Sequence, residues 1–196
     1  MTTKADILLV TPPLLQPNTP YPATAYLKGY LERNGFAAVQ MDLSIELLSA
    51  VYTPEFLNSL FKAYPGSEDP NIDRIYRLRQ AYTGTVSSVM KFLRGEDPTV
   101  ANLICAPDSL PQASRFAAID DLEAAFGSTG QIDCAKYLST LYLEDISDFL
   151  RATVTSHFGL SRSAEQLSLS LPTFGPLAKA LEEPLNSIEE CMIGLL

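Results

Sequence analysis

Residues 7–35 read ILLVTPPLLQPNTPYPATAYLKGYLERNG, beginning as a strand and ending as a helix, and the join between the two decides the fold. Ile7, Leu8, Leu9 and Val10 form a continuous apolar run, the pattern of a parallel strand covered on both faces. Pro12 and Pro13 end it, because proline donates no ladder hydrogen bond. Ala23, Tyr26, Leu27, Tyr30 and Leu31 then recur at helical spacing, and Asn34-Gly35 tolerates the backbone angles that stop a helix. Residues 38–43 alternate weakly and lead into Ser44. Strand, loop, helix and second strand therefore predict a Rossmann-like βαβ start, placed in residues 1–45, with a right-handed crossover.

In such sheets ligands collect beyond the carboxyl ends of the strands, where residues 11–22 lie. This loop is longer than the usual strand-to-helix connection. It holds five of the chain's fourteen prolines and no glycine. Backbone amides cannot wrap a pyrophosphate there, so NAD and ATP are disfavoured. The side chains on offer are neutral: Thr11, Gln16, Asn18, Thr19, Tyr21 and Thr24, beside apolar Leu14 and Leu15. That set suits a large, neutral or amide-decorated ligand.

Composition narrows the partners. The 196-residue chain has 14 basic and 23 acidic residues, a net charge of −9, which repels nucleic acid and anionic membranes. Cys105, Cys134 and Cys191 are odd in number and far apart in sequence, so neither a disulfide framework nor a zinc site follows. No apolar run has membrane-spanning length, and the first residues lack a signal-peptide core. A cytoplasmic protein is expected.

The runs ILLVTPP, PATAYLKGYLERNGF and VQMDLS resemble the N-terminal cobalamin-binding domain of B12-dependent radical SAM enzymes, where a strand ending in Pro-Pro leads to a helix of the type YLAxxLexxG. The resemblance covers residues 1–45. It implies cobalamin bound by Thr11, Pro12, Pro13, Leu14, Leu15, Gln16, Asn18, Thr19, Tyr21 and Thr24, with Leu14, Leu15 and Gln16 under the corrin. The Asp-x-His-x-x-Gly motif of other cobalamin folds is absent, and His157 is the sole histidine, so no histidine ligand to cobalt is implied. S-adenosylmethionine and a 4Fe-4S cluster would belong to a downstream radical SAM domain of the same chain, carrying Cys-x-x-x-Cys-x-x-Cys, a spacing that does not occur here. No further βαβ series follows Leu43. The chain thus reads as a non-catalytic fragment of an iron-sulfur oxidoreductase.

Residues 46–196 read as helical, an insertion, lid or interaction module. Helical spacing marks 45–51, 54–64, 72–93, 112–126, 134–158 and 185–192, divided by breaks such as YPGSEDPN, GEDPT, GSTG and FGLS. Thr53-Pro54 is a clean helix start. Tyr64, Tyr76, Tyr82, Tyr137 and Tyr142 are assigned to core or rim. Arg74, Arg77 and Arg79 form a basic cluster on a solvated helix face. His157 is expected at a helix C-terminus, with Asp148 too far along the chain to serve it. The acidic pairs Asp120-Asp121, Glu144-Asp145, Glu182-Glu183 and Glu189-Glu190 diverge on a helix and build no paired-carboxylate site. The sequence thus carries a second reading, a mainly helical interaction or regulatory domain without cofactor. Helix should dominate the content, and the open edges of a two-stranded sheet would allow homo-oligomers.

Overall fold

The computed structural model describes residues 5–15, 17, 20–118, 130–160 and 173–196. It contains strand β1 (Ile7–Thr11), helix α1 (Ala23–Arg33), strand β2 (Ala38–Asp42), then α2 (Leu43–Val51), α3 (Pro54–Lys62), α4 (Pro70–Arg77), α5 (Arg79–Leu93) and α6 (Val100–Ile104). A 3-10 turn (Ser114–Ala118) precedes α7 (Gln131–Thr153), α8 (Phe174–Glu182) and α9 (Ser187–Leu195). Helix dominates, with one small parallel sheet. No described helix is long and apolar enough to cross a membrane.

The chain divides into two compact units: Met1–Leu48 with Ser161–Leu196, and Ser49–Leu160. The C-terminal segment groups with the strand-bearing unit rather than with the helical one.

In the strand-bearing unit β1 and β2 pair in parallel from Ile7 opposite Ala38 to Thr11 opposite Asp42. Asp6 ties the entrance, its carboxylate accepting from the Ala37 amide at 3.0 Å. Helix α1 packs on both strands. Gly35, at φ +85°, makes the turn back into β2, a conformation that costs glycine least. The expectation of a strand covered on both faces is not met. Ile7, Leu9 and Thr11 are the less exposed side, while Leu8 and Val10, with Val39 of β2, stay 50%, 37% and 47% exposed. A two-stranded sheet with one helix layer has a second face that nothing among the described residues covers. The apolar stripe of α1 is open too: Tyr26 and Tyr30 are 78% and 66% exposed.

The helical unit closes its own core around α7, from which Ala135, Tyr142, Ile146, Phe149 and Leu150 are completely buried. Helices α4, α5 and α6 and the 3-10 turn all pack on α7. Helix starts follow local chemistry: Thr53 accepts from the Phe56 amide at 3.3 Å and Asp69 from the Asn71 amide at 2.8 Å, each ahead of a proline in the first helical position.

Three helix expectations are corrected. The predicted helix 72–93 breaks at Leu78, and the Arg79 guanidinium takes the Tyr76 carbonyl at 3.1 Å beside the break. The predicted helix 112–126 is a 3-10 turn as far as Ala118, since buried Asp145 claims the amides of Ala113 and Arg115; residues 119–129 lie outside the described residues. Helix α7 stops at Thr153, short of Phe158. Two helices, α6 and α8, were not read from the sequence at all.

Candidate functional site

The carboxyl ends of β1 and β2 open onto the 11–22 loop, as the βαβ reading places it. Thr11 closes β1 and is 5% exposed. Pro12, Pro20 and Pro22 are exposed, while Pro13, Leu14, Leu15, Tyr21 and Thr24 are half-buried. Gln16, Asn18 and Thr19 lie outside the described residues. The loop is held at one carbonyl: the Ser44 hydroxyl, buried in the first turn of α2, donates to Leu15 O at 2.9 Å. Asp42 caps that same helix, accepting from the Ile45 amide at 3.0 Å. Leu14 has φ +62°, the left-handed region, which costs a leucine about 1 kcal/mol. At the far end of the loop, Pro22 occupies the N-cap of α1: its carbonyl accepts from the Tyr26 amide at 3.0 Å, but it offers no side-chain cap to the amides before that.

The loop therefore brings together a leucine pair, a tyrosine and a threonine at the edge of the sheet. It supplies no charge, no nucleophile and no imidazole. Among the described residues no group of three or more His, Cys, Asp or Glu could hold a metal ion.

Elsewhere the chemistry-bearing residues build structure. Asp145, fully buried on α7, accepts from Tyr82 Oη and the Ala113 amide at 2.9 Å each, and from the Arg115 amide at 3.2 Å. Burial pushes its carboxyl above the usual carboxylate range, against the lowering effect of those three hydrogen bonds. Asp148 takes Arg115 as a fork, Nε to Oδ2 and Nη2 to Oδ1 both at 2.7 Å. Two carboxylates one turn apart thus clamp residues 113–115 onto α7, a role that sequence reasoning missed because both ends of each bond are far apart in the chain. Glu144 and Asp145, read as a diverging pair, both meet Arg115: Glu144 Oε2 lies 4.0 Å from its Nη1 and Asp145 accepts from its amide, while His157 is exposed beyond the end of α7. Tyr82 and Tyr142 are core, while Tyr64, Tyr76 and Tyr137 are rim. Burial raises the phenols of Tyr52, Tyr82 and Tyr142 above their ordinary value.

Cys105 and Cys134 meet where α6 ends against the first turn of α7, and Cys105 Sγ also donates to Gln131 O at 3.5 Å. Burial and the hydrogen-bonded Cys134 push the Cys105 thiol up to about 11, which suppresses the free thiolate that nucleophilic chemistry needs.

Comparison with family models, curated proteins and solved structures finds no match.

Proposed function

We propose that residues 1–45 are the opening strand–loop–helix–strand of a corrinoid-binding unit that works beside a radical SAM domain, and that this portion binds and orients without reacting itself. The observation that carries the reading is the parallel β1–β2 pair whose carboxyl ends meet a long, glycine-free, proline-stiffened loop. Ligands of open parallel sheets sit at that edge.

The residues there fit a corrin better than a nucleotide. Leu14 and Leu15 offer an apolar support, and the left-handed Leu14 backbone, held beside the Ser44 to Leu15 bond, fixes how that support is presented. Tyr21, Thr24 and the uncapped amides of α1 offer hydrogen-bonding groups to amide side chains. Gln16, Asn18 and Thr19 join them on the sequence resemblance. Residues 1–45 contain no histidine, so this unit gives cobalt no imidazole. Bound cobalamin would supply a methyl-carrying or potential-tuning cobalt centre. The three cysteines do not fit a cluster, because their spacing is not Cys-x-x-x-Cys-x-x-Cys. The cluster and S-adenosylmethionine therefore belong to the partner domain. The uncovered faces of the sheet and of α1 are where such a unit would be completed.

Hydroxocobalamin titration followed by visible absorption tests this. The 196-residue chain alone should bind weakly or not at all, because no strand beyond β1 and β2 is present among the described residues to help enclose the nucleotide tail. A polypeptide joining it to a Cys-x-x-x-Cys-x-x-Cys domain should bind tightly, with no imidazole nitrogen splitting in the spin resonance of the reduced form. A gene without that motif sinks the reading, as does nitrogen splitting. The second reading, a helical interaction or regulatory domain, is favoured by one observation: most fully buried residues lie in the Ser49–Leu160 unit, away from the loop. It stands if the motif is absent.

A further inference from the structure

The basic cluster of the sequence resolves into three different residues. Arg77 pairs with Asp73 at 3.2 Å on an exposed helix face, as a solvated cation should. No ion pair is found for Arg74 among the described residues. Arg79 behaves differently. Its guanidinium lies over the Tyr76 ring, 4.5 Å from the centroid, and its Nη1 donates to the Tyr76 carbonyl at 3.1 Å. Stacking and hydrogen bond together fix the plane of the fork, and its remaining N–H groups have no hydrogen-bond partner among the described residues.

That fork borders a cleft of about 230 Å³ within the helical unit, lined by Asn58, Phe61 and Lys62 of α3, Tyr76 of α4, and Arg79, Gln80 and Thr83 of α5. None of the lining residues is acidic. Neither Lys62 nor Arg79 has a carboxylate partner among the described residues. In a chain of net charge −9 this is a local concentration of positive charge with two amides and a hydroxyl beside it. The walls are rigid: Phe61 and Tyr76 are edge-to-face at 6.4 Å, Phe61 packs on Phe149 at 5.0 Å, and Tyr64 on Tyr76 at 4.5 Å. The cavity is smaller than a drug-sized pocket, so its occupant is small.

We propose that this cleft binds a small phosphate monoester. A planar fork and an ammonium supply two positive charges against a phosphate dianion, and the fork matches two of its oxygens. Asn58, Gln80 and Thr83 add neutral donors, and Phe61 offers an apolar wall to the esterified group. The site lies in the Ser49–Leu160 unit and is independent of the corrinoid reading.

The experiment is a titration of the 196-residue chain at fixed ionic strength, followed by amide shifts in two-dimensional NMR, with phenyl phosphate, inorganic phosphate and succinate as probes. Phenyl phosphate should shift the amides of Asn58, Gln80 and Thr83 saturably and bind tightest, inorganic phosphate should follow, and succinate should be weakest. Arg79→Gln should weaken phenyl phosphate at least about tenfold, the loss of a charge-assisted hydrogen bond. Arg79→Lys, which keeps charge and loses the fork, should fall between, and Arg77→Gln should change nothing. The proposal is overturned by shifts that never saturate, by succinate binding as well as phosphate, or by Arg79→Gln and Arg77→Gln behaving alike. Retained amide dispersion in the variants separates loss of binding from loss of fold.

Discussion

Asp145 shows how one side chain can set the backbone where a helix was expected to begin, at residues 113–115. Its two oxygens collect three donors from Tyr82, Ala113 and Arg115 with no water exposure. Removing the acceptor leaves buried donors unpaired, whereas removing one donor does not, so the costs should differ. Asp145→Ala should cost about 3 kcal/mol and Tyr82→Phe about 1 kcal/mol in urea unfolding. The pH dependence has a definite sign. Burial raises the folded pKa above the unfolded value of 3.8, so between the two the folded state holds the proton more tightly. The contribution is fully favourable below 3.8 and is lost as pH rises through the folded pKa. Relative to Asp145→Asn, which does not titrate, the native protein should therefore lose stability as pH rises from 3.8 upward; a flat difference would refute this. None of it was legible beforehand, because Asp145 was read only as half of a diverging acidic pair. The destination of its carboxylate was invisible, being set by partners some 30 and 63 residues away.

At the scale of elements, what could be read was what local chemistry decides. Thr53-Pro54 announces α3 and the structure starts it there, with Thr53 Oγ1 accepting from the Phe56 amide and donating to Ala50 O at 2.9 Å. Thr53→Ala removes both bonds and should lower stability by about 1 kcal/mol, read as a fall in the urea midpoint with unchanged slope. An unchanged midpoint would mean that Pro54 alone starts the helix. Asn34-Gly35 likewise announced the end of α1, and Gly35 takes the positive φ that the turn requires. The break at Leu78 was hidden because neither glycine nor proline marks it, and the carbonyl beside it is satisfied by a side chain, Arg79. The five-residue α6 is too short for periodicity to register. The loop was placed correctly at the carboxyl ends of the strands, since that follows from βαβ connectivity. Which of its residues are exposed did not follow: Thr11, the end of β1, is buried, while Pro12, Pro20 and Pro22 are exposed.

For the whole molecule the two units differ in how far they satisfy themselves. The helical unit buries Leu57, Ile75, Tyr82, Val86, Val89, Ala135, Tyr142, Ile146, Phe149 and Leu150 completely, and fully burying large apolar side chains of this kind contributes about 1.5–3 kcal/mol each before the entropy of ordering is subtracted. Its buried phenols are also satisfied: Tyr52 Oη bonds Ser147 Oγ at 2.7 Å and Tyr142 Oη donates to Tyr82 O at 2.7 Å. In the strand-bearing unit α1 buries no residue, and Leu8, Val10, Val39, Tyr26 and Tyr30 remain open. Cooperativity follows buried contacts, so local stability should divide along the same line. Residues 49–160 expressed alone should give a helical circular dichroism spectrum and a single sigmoidal thermal transition. In the intact chain, amides of β1, α1 and β2 should exchange hydrogen far faster than those of α7. Protection of β1 and β2 equal to that of α7, at protein concentrations low enough to exclude self-association, would mean that the open sheet face is covered by this chain itself, and would remove the surface on which a completed corrinoid unit depends.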